Sequence, residues 1–146
     1  MGDPVPVIDD PPIDDPLSKD SVIDDIVILT LPASSAYLSV LRTATAGLAA
    51  RLDFTLDDIE DLRIAVDEAC AMLLTDAAPG SDLTCRFALE ATLIRVSVTV
   101  AGHAGLPARD TFAWTVLCAL AGEVDAVTDA AGDTTLRLIK RKGDQT

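Results

Sequence analysis

One long stretch, TLDDIEDLRIAVDEACAMLLTD from Thr55 to Asp76, constrains the fold most, because it has the periodicity and the ends of an amphipathic helix. Thr55 can cap this helix, and two aspartates follow in the first turn, where negative charge is favourable. Glu68 is expected to lie beside the buried face and not in it. A reacting carboxylate is expected in such a position. The buried face, read from three- and four-residue spacing, comprises Ile59, Leu62, Val66, Ala69, Cys70 and Leu73.

The rest of the chain predicts a sheet and two further helices. One helix is expected from Ser34 or Ser35 to about Leu52, and another, capped by Asp110, over the apolar sequence TFAWTVLCALAGEV. Strands are expected at residues 26–31, 83–90, 94–100, 124–128 and 134–140. This order predicts an α/β (α+β) two-layer sandwich, in which three helices cover one face of a mixed, mostly antiparallel sheet.

Two helix surfaces are candidates for contact with other proteins. Leucines and Thr45 form the buried seam of the first helix, and an adjacent face carries small residues around one long cation, Arg42. This flat face comprises Ser35, Ser39, Arg42, Ala46 and Ala49. The third helix is apolar on almost every side, so Trp114 or its neighbours are expected to meet a partner or an adjacent subunit.

Composition excludes several functions. The 146 residues suffice for one domain, and the net charge of −13 would repel a nucleic-acid backbone while steering a basic protein partner. No segment reaches the roughly 20 apolar residues of a membrane span, so no membrane partner and a cytoplasmic location are expected. Cys70, Cys85 and Cys118 are widely spaced in apolar segments, which indicates reduced core residues and neither disulfides nor a metal site.

Residues 1–25 hold five of the eight prolines and eight aspartates against one lysine. Such a composition buries little apolar surface and repels itself, so a disordered acidic tail is expected before a folded domain at 26–142. The tail serves either as a solubilising leader or as a partner-binding arm.

The sequence DLRIAVDEACAMLL, with its flanking elements from about Ile26 to Lys140, resembles the anti-sigma branch of the GHKL, or histidine-kinase-like, ATPase family, in its actinobacterial type. The resemblance implies ATP and magnesium in active members, and a serine-kinase activity directed at an anti-anti-sigma protein. Glu68 matches the proposed catalytic base of those members. Met72 stands where they have an asparagine that helps to hold magnesium, and a thioether is a poor ligand for that cation.

The other nucleotide motifs of the family are also incomplete. Val100 stands where an aspartate binds adenine, and Gly102 alone matches the glycines that follow it. Where a second glycine motif should wrap the phosphates, this chain has no glycine, and Phe112 and Trp114 are expected to fill space that a triphosphate needs. No cofactor is therefore expected in this chain, and the resemblance implies a pseudo-kinase.

The binding features of the family are better matched. An arginine on the first helix of its members contacts both the sigma factor and the anti-anti-sigma protein, and Arg42 falls on that position. The partners implied are a stress-response or sporulation sigma factor, an anti-anti-sigma protein of the STAS type, and a second copy of the chain. We expect an anti-sigma factor that works by sequestration. The alternatives are an active serine kinase that uses Glu68, and a small-ligand sensor that uses the old nucleotide cleft.

Overall fold

The computed structural model of the chain describes residues 24–75, 77–101 and 107–143. In these residues a five-stranded sheet is covered on one face by three α-helices. The strands are β1 (Asp24–Pro32), β2 (Asp82–Glu90), β3 (Leu93–Val100), β4 (Glu123–Thr128) and β5 (Thr134–Arg141). The helices are α1 (Leu38–Arg51), which follows a short 3-10 turn at Ser35–Tyr37, α2 (Leu56–Leu74) and α3 (Phe112–Ala121). The predicted tail, except its last two residues, and Gly102 lie outside the described residues.

The strand order of the sheet is β1-β2-β3-β5-β4. The chain leaves β3, crosses through α3 to the far edge, and returns as the β4–β5 hairpin, so β5 lies between β3 and β4. The predicted two-layer sandwich is confirmed. Every described strand pairing is antiparallel, whereas a mixed sheet was expected. Because β5 separates β3 from β4, these two strands run in the same direction without pairing.

Alternate residues of the three central strands point towards the helices and form the core. Helix α2 packs against β3, β5, α1 and α3, and its predicted apolar face is buried except for Ile59, which is half-buried. Each large side chain buried in this way contributes about 1.5–3 kcal/mol. The buried strand residues include Leu83, Cys85, Phe87, Leu89, Ile94, Val96, Val98, Val100, Leu136 and Leu138.

The helix ends follow from local hydrogen bonds. Thr55 caps α2 as predicted, because its Oγ1 accepts a hydrogen bond from the Asp58 amide at 3.1 Å. Helix α3 is capped by Thr111 and not by Asp110: Thr111 Oγ1 accepts from the Trp114 amide at 3.2 Å. The helix also ends before the predicted GEV sequence, since Gly122 has φ +93°, which is a left-handed conformation that favours glycine.

A buried ion pair joins the helical layer to the sheet, and the sequence did not predict it. Lys140 Nζ lies 3.6 Å from Asp58 Oδ1, and the two side chains are 3% and 1% exposed. Lys140 also donates a hydrogen bond to the Leu120 carbonyl at 3.2 Å. The Gly143 amide donates to Asp58 Oδ2 at 3.0 Å. Three elements, α2, α3 and β5, are therefore held together by charge as well as by apolar contact.

Two of the three cysteines are buried as expected, and the third is not. Cys70 and Cys85 are buried, as predicted, but Cys118 is exposed because it lies on the outer side of α3. Burial, with a smaller contribution from the charge of Asp67, raises the pKa of Cys70 to about 12. Burial also raises the pKa of Cys85 well above its usual value.

Candidate functional site

Arg42 forms an ion pair between two helices. Helices α1 and α2 are joined by a short connection and pack side by side, so Arg42 on α1 comes to face Asp67 on α2. Arg42 Nε lies 3.0 Å from Asp67 Oδ1, and the side chains are 40% and 33% exposed. Helical spacing would also allow Asp67 to pair along α2 with Arg63. Arg63 pairs instead with Glu60.

The ion pair uses one edge of the guanidinium group. Among the described residues Arg42 makes no further ion pair or hydrogen bond, so both of its terminal Nη groups remain available. Asp67 Oδ1 is buried and makes no well-oriented hydrogen bond to the described residues, despite the 3.0 Å distance. The interaction is therefore a close contact of opposite charges and not an aligned hydrogen bond.

Small residues surround Arg42 on the outer side of α1. Ser39, Thr43 and Gly47 are exposed, and Ala46 is half-buried. With Arg42 these residues form what we call the α1 surface. The expectation that Ala49 lies on the same face is wrong. Ala49 is fully buried in the core, because it continues the seam of Leu41 and Thr45.

Gly47 has no internal reason to be a glycine. A Cβ atom placed there would meet no other atom within 4 Å. Glycine inside a helix costs about 1 kcal/mol relative to alanine, so the residue reduces helix stability and leaves the surface flat. A flat, small-residue surface with a central arginine can accommodate close approach of another protein chain.

The positions that match a nucleotide site lie further along α2. Glu68 is half-buried, next to Asp67 in sequence, and Met72 lies one turn later, where its side chain packs against the core. Its thioether cannot replace the amide oxygen that magnesium requires. Within residues 24–75, 77–101 and 107–143, no group of three or more His, Cys, Asp or Glu side chains could hold a metal ion.

The start of α3 is occupied by the chain's own side chains. Thr111 caps the helix, and the Arg109 guanidinium lies 4.7 Å from the centre of the Trp114 ring. Trp114, which was expected to face a partner, is only 7% exposed, whereas Phe112 is 83% exposed. The accessible aromatic side chain at this end of the helix is therefore Phe112. Val100, where the family has its adenine-binding aspartate, is fully buried.

A concavity of about 520 Å³ lies on the open face of the sheet, which is the face opposite the helices. It is lined by Arg86, Arg95, Arg137, Asp125 and Glu123, among others. Arg137 donates two hydrogen bonds to Asp125, at 2.8 and 2.7 Å, and these bonds lower the pKa of Asp125. Most of the charged side chains that line the concavity are thus already balanced by ion pairs. The concavity is separate from the positions that match the nucleotide site.

Comparison with known proteins supports the resemblance. The chain is 36% identical over 80 residues to the serine-protein kinase RsbW of Halalkalibacterium halodurans, which covers 54% of this chain and 49% of that protein. This chain resembles the RsbW serine-protein kinases. RsbW of Bacillus velezensis is 46% identical over 46 residues, or 32% of this chain and 29% of its own length. The chain thus matches half or less of the length of these RsbW relatives. No family model matches the chain.

The fold is also that of a solved RsbW-containing protein. The crystal structure of the RsbU and RsbW domains of Rv1364c from Mycobacterium tuberculosis superposes with a TM-score of 0.66 at 22% identity. The match covers 81% of this chain and 32% of that one. This match shows the fold, and the RsbW relatives together with it confirm the resemblance inferred from the sequence. None of the described helices is long and apolar enough to cross a membrane.

The sequence identified Arg42 but missed Asp67 as its partner. A signal was present: two helices joined by four residues can pack antiparallel, and residues 42 and 67 then lie at similar distances from the connection. Spacing along a single helix could not reveal this contact, because it joins residues 25 positions apart.

Proposed function

We propose that this chain is an anti-sigma factor that works by sequestration. It covers a surface of a sigma factor, and an anti-anti-sigma protein releases that factor by competing for an overlapping site. The observation that carries this proposal is the α1 surface, where Arg42 stands among small residues with both Nη groups free of described contacts. Arginine is enriched at the energetic centres of protein interfaces, where its planar group binds several acceptors at once.

Sequestration requires binding and no chemistry, which agrees with the residues at the former nucleotide positions. Met72, Val100 and the capped start of α3 replace the groups that would bind magnesium, adenine and phosphates. Charge neutralisation and positioning account for nearly all of the catalysis of phosphoryl transfer. We therefore propose that the chain binds its partners without ATP, as a pseudo-kinase.

The second candidate function is an active serine-protein kinase. It is favoured by the RsbW relatives, which are named serine-protein kinases, and by Glu68, which is half-buried on α2, where a catalytic base would be expected. The test is transfer of radiolabelled phosphate from ATP to a purified STAS-type anti-anti-sigma protein. Sequestration predicts no transfer. Transfer that Glu68→Gln abolishes would establish the kinase in its place.

The decisive experiment for sequestration is charge reversal at Arg42. We expect Arg42→Glu to weaken sigma-factor binding at least thirtyfold, since disrupting a buried charged contact costs on the order of 2–5 kcal/mol. Arg51→Glu is the matched control: it makes the same charge change at an exposed position of the same helix. Arg42→Glu also removes the cation beside the buried Asp67 Oδ1, so we expect a moderate fall in its melting temperature without unfolding of the protein.

The outcomes separate three explanations. Equal affinity of wild type and Arg42→Glu would remove the support for the α1 surface. A similar loss in both variants would indicate a general effect of charge and no local contact. A loss of affinity together with a large fall in melting temperature would show that Arg42 is structural.

Three further expectations accompany the proposal. Association of two copies is expected from the resemblance and can be tested by sedimentation velocity. Trp114 stays a candidate partner residue, and its exposed neighbour Phe112 is the better first target for substitution. A cytoplasmic location follows if the partner is a sigma factor, because transcription takes place there.

A further inference from the structure

The contact between Arg42 and Asp67 is unusual for a surface ion pair. Asp67 Oδ1 is buried, so water does not solvate it, yet it has no well-oriented hydrogen bond among the described residues. A buried carboxylate oxygen without such bonds is unfavourable, and the positive charge at 3.0 Å is its main compensation in this part of the chain. Stability alone does not explain why an aspartate stands here.

The geometry has a consequence for Arg42. A long arginine side chain adopts many conformations in water, and binding a partner would normally restrict them at a cost in affinity. Asp67 contacts the guanidinium through Nε, which restrains this end of the side chain, and the Nη groups make no hydrogen bond to the described residues. The side chain is therefore already restricted before a partner arrives.

We propose that Asp67 is a positioning residue of the α1 surface: it holds Arg42 so that both Nη groups face the docking partner. This inference rests on the proposed function of Arg42. Asp67 itself need not touch the partner, because it acts from α2 on a residue of α1. It also connects the docking surface with α2, the helix that carries Glu68 and Met72.

The opposite role has a different signature. If Asp67 masked Arg42, the aspartate would compete with the partner's acceptors, and its removal would strengthen binding. If Asp67 positions Arg42, its removal should weaken binding about three- to tenfold, the range expected when one flexible side chain must be ordered on association. The sign of the change in affinity therefore decides between positioning and masking.

The first measurement needs no partner. In a ¹⁵N-labelled sample of the full chain, the Arg42 Nε–H resonance is assigned by its loss in Arg42→Lys. We expect this group to be rigid in the wild type and mobile in Asp67→Ala. Glu60→Ala is the matched control, because it removes the neighbouring pair with Arg63 and should leave the Arg42 resonance unchanged. Unchanged mobility in Asp67→Ala would overturn the inference.

The second measurement uses as its probe the purified sigma factor that binds the wild type and discriminates against Arg42→Glu. Asp67→Ala should lose about three- to tenfold in affinity, and Asp67→Asn, which keeps an acceptor oxygen, should lose less. In an Arg42→Ala background, Asp67→Ala should have no further effect, because its action passes through the arginine. Melting temperatures of all variants exclude unfolding as the cause.

The two proposals fail in different ways. If no tested sigma factor discriminates against Arg42→Glu, the proposed function fails, and a role of Asp67 in docking fails with it, whatever the resonance shows. If Arg42→Glu weakens binding but Asp67→Ala leaves affinity unchanged or improves it, this inference alone is wrong. An equal loss from Asp67→Ala with and without Arg42 would assign Asp67 a direct contact and would likewise overturn positioning.

Discussion

At the scale of single residues, buried charge separates positions that look alike in the sequence. Lys140 and Arg141 are consecutive and basic, but Lys140 points into the core and Arg141 pairs with Glu123 on the open face of the sheet. Breaking a buried ion pair leaves an uncompensated charge away from water, whereas an exposed pair is largely replaced by solvation. The two positions should therefore differ strongly in their effect on stability.

We expect Lys140→Met to lower the free energy of unfolding by about 3–5 kcal/mol, because Asp58 would remain buried without its cation. Arg141→Met, the matched control, should cost less than about 1 kcal/mol. Urea denaturation monitored by circular dichroism measures both values. Replacing both partners, as Asp58→Asn with Lys140→Met, should recover part of the loss. Equal effects at positions 140 and 141 would contradict the buried pair.

The cysteines provide a second prediction at this scale. Iodoacetamide reacts with the thiolate. A pKa of about 12 keeps Cys70 protonated at pH 8, and its burial keeps the reagent away. Burial has the same effect on Cys85, whereas Cys118 is exposed. Mass spectrometry should therefore find one modified thiol in the folded protein and three after denaturation. Rapid labelling of Cys70 or Cys85 in the native state would show that α2 opens.

At the scale of elements, α1 shows a conflict between helix stability and surface shape. Its outer side is flat because Gly47 lacks a side chain, although a helix former would make α1 more stable. The core side of the same helix has no such conflict, since Leu41, Thr45 and Ala49 are fully buried. Substitution at Gly47 can therefore separate folding from binding.

We predict that Gly47→Gln stabilises the protein by about 0.5–1 kcal/mol, from helix propensity, and yet weakens sigma-factor binding, because a long side chain would stand on the α1 surface. Gly47→Ala, the control, should stabilise to a similar extent and affect binding less. Thermal melts and affinity measurements on the same samples test this. If Gly47→Gln bound the sigma factor as tightly as the wild type, the interface would lie elsewhere.

At the scale of the whole molecule, the net charge of −13 governs encounters with partners. Such a field acts over distances of about a Debye length, which is about 10 Å at 0.1 M salt, and accelerates association with a basic protein. The short-range contacts at the α1 surface depend less on salt. Charge thus sets the rate of association, and the local surface sets the lifetime of the complex.

We expect the association rate with a basic sigma-factor surface to fall about tenfold or more as salt rises from low to physiological ionic strength, with a smaller change in the dissociation rate. Stopped-flow fluorescence across a salt series would measure both rates. Arg51→Glu, which makes the chain more acidic outside the α1 surface, should associate at least as fast as the wild type. An association rate that is insensitive to salt would rule out steering.

The sequence by itself determined the elements and the family resemblance. The spacing of apolar residues predicted α2, with its cap at Thr55, and alternation predicted strands β2 and β3, because both patterns depend on the local repeat of the backbone. Only the tertiary structure decided that Arg42 meets Asp67, that Lys140 is buried against Asp58, and that Trp114 is covered while Phe112 is exposed. These contacts join side chains from different elements, so they depend on how the helices pack and on the order of the strands, which no local repeat encodes.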